Sequence, residues 1–110
     1  MKKAKRAALE AKGWRIGTAQ DFLGLSDEEV ALIEVKLALS QELRECRAAR
    51  HLSQSGLAKL IGSSQSRVAK MESGDRSVTV DLLMKSLFTL GATPKDVGGA
   101  LQRRRQRVAV

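Results

Sequence analysis

The sequence is poor in aromatic residues and contains a single cysteine. Trp14, Phe22 and Phe88 are the only aromatic residues, so Leu, Val, Ile and Ala must fill the core, which suits packed helices better than sheets. One cysteine, Cys46, excludes an internal disulfide and a cysteine metal cluster. His51 has no partner histidine for a zinc site. No metal and no cofactor are therefore expected.

Long apolar runs and catalytic motifs are also missing. No run spans a membrane, and the N-terminal lysines are not followed by the apolar stretch of a signal peptide, so a reducing cytoplasm is the simplest expected location. The chain has no glycine-rich phosphate loop and no Ser/His/Asp set, which predicts that it is not an enzyme. The nineteen residues after Gly91 are too few for a catalytic domain, which argues against an enzyme that carries a DNA-binding appendage.

Positive charge is what the sequence has in excess. Twenty Lys and Arg against twelve Asp and Glu give a formal net charge of +8, and four arginines lie together in a basic tail at 103–107. Nucleic acid is the usual partner of such a chain, although a merely solvated basic surface would have the same composition. The 110 residues allow one domain plus one extra element.

Helix caps and glycines divide the chain into five predicted helices between residues 26 and 106. A capping box at Ser26 and Glu29 opens a long helix over 27–50 that contains neither Gly nor Pro. Three short helices follow, each between a Ser or Thr cap and a glycine: 54–61, 65–73 and 80–90. Thr93-Pro94 begins a last helix, weakened by Gly98-Gly99. Upstream, helix formers fill 2–12, and Thr18 and Asp21 have capping-box spacing. The predicted organisation is an extension at 1–25, a domain at 26–92 and a helix with a basic tail at 93–110.

The segment from Gln54 to Ser73 has the pattern of a helix-turn-helix. Ala58 is small where two helix backbones approach, and Gly62 occupies the turn, where positive φ is cheap only for glycine. Leu57, Ile61, Val68 and Met71 recur at helical spacing and are expected to face inward. The outer face of the second helix keeps polar residues that suit base edges: Ser64, Gln65, Ser66, Arg67 and Lys70. An ordinary helical hairpin is the alternative interpretation.

The stretch from Leu43 to Gly91 resembles the lambda-repressor-like family, the Xre or Cro type of helix-turn-helix. The matching pieces are LSQ at 52–54, LA at 57–58, SQSRVAKME at 64–72 and LFTLG at 87–91. The resemblance implies an all-α, five-helix, lambda-repressor-like DNA-binding domain with an N-terminal helical extension. Two residues depart from the family pattern: Gly56 stands where glutamate is frequent, and Val78 where proline is frequent.

The same resemblance implies a role for each residue of the motif. Gln54 would bond a DNA phosphate, helped by the dipole of its helix. Ser64, Gln65, Ser66 and Lys70 would face the major groove, and Arg67 would reach either a base or a phosphate. Glu72 would brace the fold and would not contact DNA.

The segment before this domain, GWRIGTAQDFLGLSDEEVALIEVKLALSQ, resembles HigA-like antitoxins, which pair with RelE-like toxins. The implied function is a sequence-specific transcriptional regulator, a repressor of its own operon, acting as a homodimer on double-stranded DNA with no membrane partner. Trp14 would anchor a toxin, or would pack in the domain's own core. The alternative function is a protein-binding module that chiefly neutralises a RelE/HigB-like toxin, with DNA binding secondary.

Overall fold

A computed structural model describes residues 20–108, with side chains up to Arg104. In this range the chain is all-α, as predicted, and has five principal helices: α1 (Asp27–Ala49), α2 (Gln54–Ile61), α3 (Gln65–Ser73), α4 (Val80–Thr89) and α5 (Pro94–Val108). The predicted helix at 2–12, Trp14 and the capping box at Thr18 lie outside the described residues. The chain divides into two compact units, with the boundary between Leu32 and Ile33 inside α1.

The first unit contains, in its described part, the start of α1 and a short helical stretch at 20–23. The predicted capping box is confirmed, because Ser26 Oγ accepts from the Glu29 N–H at 3.1 Å and Glu29 Oε1 accepts from the Ser26 N–H at 3.0 Å. Gln20 Nε2 also donates to Asp27 Oδ1 at 2.8 Å. These bonds satisfy polar groups at an exposed helix start and fix where α1 begins.

The second unit, from Ile33 onward, holds an aliphatic core to which all five helices contribute. The predicted inward residues Leu57, Val68 and Met71 are fully buried, whereas Ile61 is half-buried at the edge of the core. The other core residues come from all the helices except α3 and from the loops around α4: Leu39, Leu43, Ala58, Val78, Leu83, Leu87, Leu90 and Val97. Val78 is therefore a core residue at the position where proline is frequent in the family.

The short helices begin and end close to where the caps and glycines predict. Ser53, Ser64 and Thr79 each accept, through the side-chain oxygen, the N–H of the residue three positions later. Gly62 and Gly74 close α2 and α3 in the left-handed region, with φ of 67° and 77°. The predicted helix 80–90 is one residue too long, because Leu90 is a right-handed cap and its N–H bonds carbonyls of the last turn.

The last helix runs without a break through Gly98 and Gly99. Its start is fixed by a capping box in which Thr93 and Asp96 bond each other's backbone N–H groups. Val97 and Ala100 are buried, so the first two turns of α5 belong to the core, and tertiary packing outweighs the low helix propensity of the two glycines.

Cys46 is a free, half-buried thiol at the edge of the core. Burial, together with the nearby carboxylate of Glu42, raises its pKa to about 11. The thiol stays protonated at neutral pH, which fits a structural cysteine.

Candidate nucleic-acid interface

Helices α2 and α3 form the predicted helix-turn-helix, and the outer face of α3 is polar and open to solvent. Gln65, Ser66, Arg67 and Lys70 are all exposed, while Val68 and Met71 on the opposite side are buried. The four exposed residues are the ones predicted to read DNA from this helix. Amide, hydroxyl and guanidinium groups on one exposed face supply both donors and acceptors for base edges and phosphates.

Ser64 has a structural task as well as an exposed position. Its hydroxyl oxygen accepts from the Arg67 N–H at 3.2 Å and lies 3.3 Å from the Ser66 hydroxyl. The cap therefore occupies an acceptor of Ser64 and fixes the first turn of α3, so that Gln65 and Ser66 project from a rigid helix end.

A chain of side-chain hydrogen bonds joins the starts of α2 and α3. Gln65 Nε2 donates to Gln54 Oε1 at 2.6 Å, and Gln54 Nε2 donates to Glu72 Oε1 at 3.2 Å. Gln54 is half-buried and Gln65 is exposed. The amide of Gln65 is thus oriented by Gln54 before any ligand binds, and its own Oε1 and second N–H remain for a partner.

This chain of bonds is anchored by an ion pair beside the core. Arg47 of α1 donates from Nε to Glu72 Oε2 at 2.5 Å and from Nη2 to Glu72 Oε1 at 3.0 Å, and its Nη1 bonds the Leu52 carbonyl oxygen at 2.8 Å. The bond to Glu72 raises the pKa of the Arg47 guanidinium, which stays charged. Glu72 is 6% exposed, so its expected role as a brace is confirmed.

The sequence predicts which side chains lie on the exposed face of α3 but not the contacts that hold that face. Gln54 and Gln65 are eleven residues apart and Arg47 and Glu72 are twenty-five apart. Such pairs meet only once the crossing of the two helices is fixed. The available signal was the motif itself, because a helix-turn-helix places the starts of its two helices side by side.

The charge on α2 and α3 favours an anionic partner. Lys59, Arg67 and Lys70 are exposed, and the carboxylate of Glu72 is neutralised by Arg47. Among the described residues there is no cluster of side chains able to hold a metal ion and no helix able to cross a membrane.

The comparisons with known proteins agree with this geometry. The family model for a helix-turn-helix of the HTH_3 type matches residues 43–86. A protein of Mycobacterium tuberculosis (strain ATCC 25618 / H37Rv), which bears the name "Putative antitoxin HigA3", is 39% identical over 98 residues, covering 84% of each chain. No solved structure matches the chain. The chain belongs to the HigA-like family of helix-turn-helix antitoxins, which are DNA-binding regulators.

Proposed function

We propose that the protein is a repressor that binds its operator as a homodimer, with α3 in the major groove, and that it also neutralises a RelE/HigB-like toxin. The observation that carries the DNA-binding part is the chain of bonds from Arg47 through Glu72 and Gln54 to Gln65. It holds an amide on the exposed first turn of α3 in advance of binding, which lowers the entropy cost of reading a base.

Each exposed group of the motif then has a distinct task. The amide of Gln65 both donates and accepts, and adenine offers the matching acceptor and donor at N7 and N6 in the major groove. Gln54, at the start of α2, meets a phosphate of the backbone. Ser66 and Lys70 follow Gln65 along the outer face of α3, and Arg67 reaches a base or a phosphate from its first turn.

A single domain of this size makes few base contacts, which is the reason for proposing a dimer. Two copies on a two-fold operator would place half-sites about one helical turn apart, roughly 34–36 Å. The proposed dimer surface is the outer face of α5 with the tail, residues 93–110. Val97 and Ala100 are already buried within this chain, so the exposed side of the helix is what remains for a second copy.

Toxin binding is proposed from the relative at 39% identity, whose name is that of an antitoxin. The proposed toxin-binding segment is the extension at 1–25, which lies before the helix-turn-helix domain. Neutralisation would be by binding in the cytoplasm, with no catalytic step of its own.

Selection of bound DNA from a random pool, repeated at increasing salt, tests the DNA-binding proposal. A two-fold sequence that survives high salt, bound by a dimer in sedimentation, is the expected result. If no sequence is enriched while the protein still neutralises a co-expressed toxin, the alternative holds and toxin binding is the main function. A monomer, both free and on its best site, would contradict the dimer.

A further inference from the structure

A cavity of about 200 Å³ opens on the surface of the second unit, beside the C-terminal end of the recognition helix. Its polar lining comes from three helices: Ser40, Gln41 and Arg44 of α1, Glu72 and Ser73 of α3, and Arg104 of α5. One water needs only about 10–15 Å³ of such space, so the cavity has room for a larger polar group.

Two polar atoms of this lining are buried without a hydrogen-bond partner. They are Ser40 Oγ and Arg104 Nε, and Ser40 as a residue is only 3% exposed. A buried polar atom without a partner is destabilising, so a hydrogen-bond acceptor bound in this cavity would be stabilised by both residues. Both atoms can donate a hydrogen bond, and both belong to residues that line the cavity.

The charge of the lining identifies the acceptor as an anion. Arg44 and Arg104 have no carboxylate partner among the described residues, whereas the neighbouring Arg103 is paired with Glu42 at 2.8 Å. The one carboxylate of the lining, Glu72, is already neutralised by Arg47. The Gln41 amide nitrogen already donates to Glu45 Oε2 at 2.9 Å and is not counted. The two unpaired guanidinium groups and the Ser40 hydroxyl form a set of donors that suits a tetrahedral oxyanion.

The position of the cavity points to the source of that oxyanion. Ser66, Lys70 and Ser73 are exposed and lie four and then three residues apart, so they form one stripe along α3. This stripe is the outer face of the recognition helix, and its last residue, Ser73, lines the cavity. A phosphate of a DNA strand that borders the groove would therefore lie within reach of the cavity.

We propose that this cavity is an oxyanion site formed by Ser40, Arg44 and Arg104, and that its occupant is a backbone phosphate of bound DNA. The site adds a sequence-independent contact outside the helix-turn-helix and gives α5 a direct part in DNA binding. A free phosphate ion has the same chemistry and is the other possible source.

The test is the dependence of DNA affinity on salt, measured in phosphate-free buffer for Arg104→Gln, Arg104→Lys and the matched control Arg103→Gln. Arg104→Gln is expected to make the negative slope of log affinity against log salt shallower by about 0.9. Between roughly 50 and 200 mM salt, the fold-loss of affinity of this variant should therefore be about 3.5 times smaller than that of wild type. Arg104→Lys keeps the charge and should keep the slope. Arg103 already has a carboxylate partner, so Arg103→Gln should change the slope much less.

A second measurement separates the two sources of the oxyanion. Inorganic phosphate is titrated into the free protein, and amide chemical shifts around Ser40 and Arg104 are followed by NMR in wild type and in Arg104→Gln. One outcome is that phosphate causes saturable shifts, that Arg104→Gln abolishes them, and that the variant leaves the DNA salt slope unchanged. This result would support an oxyanion site whose occupant is a free phosphate ion and not a DNA phosphate. Equal slope changes for Arg103→Gln and Arg104→Gln, or no response of Arg104→Gln in either measurement, would overturn the proposal.

Discussion

Removing the amide of Gln54 should impair base reading by Gln65, although Gln54 itself is expected to contact only phosphate. In the structure Gln54 Oε1 accepts from Gln65 Nε2 at 2.6 Å and thereby holds the Gln65 side chain in one orientation. Without this bond the side chain is free until DNA binds, and ordering it then costs about 0.5–1.5 kcal/mol. Truncation of Gln65 itself should cost about 1–3 kcal/mol on the operator and relax the preference at one base pair.

A double-mutant cycle measures this coupling. Kd is determined for wild type, Gln54→Ala, Gln65→Ala and the double variant, on the operator and on random DNA at fixed salt. On the operator, the losses of binding free energy in the two single variants should sum to about 0.5–1.5 kcal/mol more than the loss in the double variant, which corresponds to about 2- to 13-fold in Kd. On random DNA, where Gln65 reads no base, the effects should add, which makes this arm the control.

Two results would refute the reasoning. Additive effects on the operator would mean that Gln54 does not position Gln65 when DNA is bound. An unchanged base preference in Gln65→Ala would mean that the recognition face is misplaced. Circular dichroism of all three variants should be that of wild type, because Gln65 is exposed and Glu72 keeps both of its bonds to Arg47.

Three further predictions concern the stability of the fold. Gly56→Ala should raise the free energy of unfolding by about 0.5–1 kcal/mol in urea titration, because the added Cβ meets no atom closer than 3.4 Å; a loss of stability would contradict this. Gly74→Ala should lower the free energy of unfolding by more than Gly62→Ala: both residues have positive φ, which costs alanine about 1–2 kcal/mol, but at Gly74 the new Cβ also lies 2.6 Å from a leucine methyl of α1. Equal losses would show that this leucine side chain moves aside at little cost. The bonds from Thr93 lower the pKa of the Asp96 carboxyl below the ordinary 3.8, so this carboxylate stabilises the fold above that pH, and the stabilisation is lost as the pH falls through the folded pKa. The difference in unfolding free energy between wild type and Asp96→Asn should therefore shrink toward zero in acid, and a difference independent of pH would refute the assignment.

The helices of this protein were largely decided by its sequence. Ser26, Ser53, Ser64 and Thr79 cap helices at the predicted positions because a helix start needs a side-chain acceptor within three residues, a requirement that local sequence meets. The glycine stops are local in the same way, since positive φ is a property of one residue. The observed end of α4 is one residue earlier than predicted, and Leu90 there is a buried, right-handed cap.

The exposed face of α3 was also predictable, since helical periodicity alone separates Val68 and Met71 from Gln65, Ser66 and Lys70. Helical periodicity determines the direction in which a side chain points from its own helix. Direction is enough to nominate residues for base reading, but it does not say what else each side chain touches.

Only the tertiary structure decided how the site is held together. The bonds from Arg47 to Glu72 and from Gln54 to Gln65 join separate helices, and the pairing of Arg103 with Glu42, which leaves Arg104 beside the cavity, joins positions sixty-one residues apart. Contacts of this kind depend on the crossing angle and the register of packed helices. An error of one residue in the register of a helix turns its side chains by about 100° around the helix axis. Caps and periodicity fix each helix by itself, whereas the packing of Leu39, Leu43, Leu57 and Leu83 fixes the helices against one another.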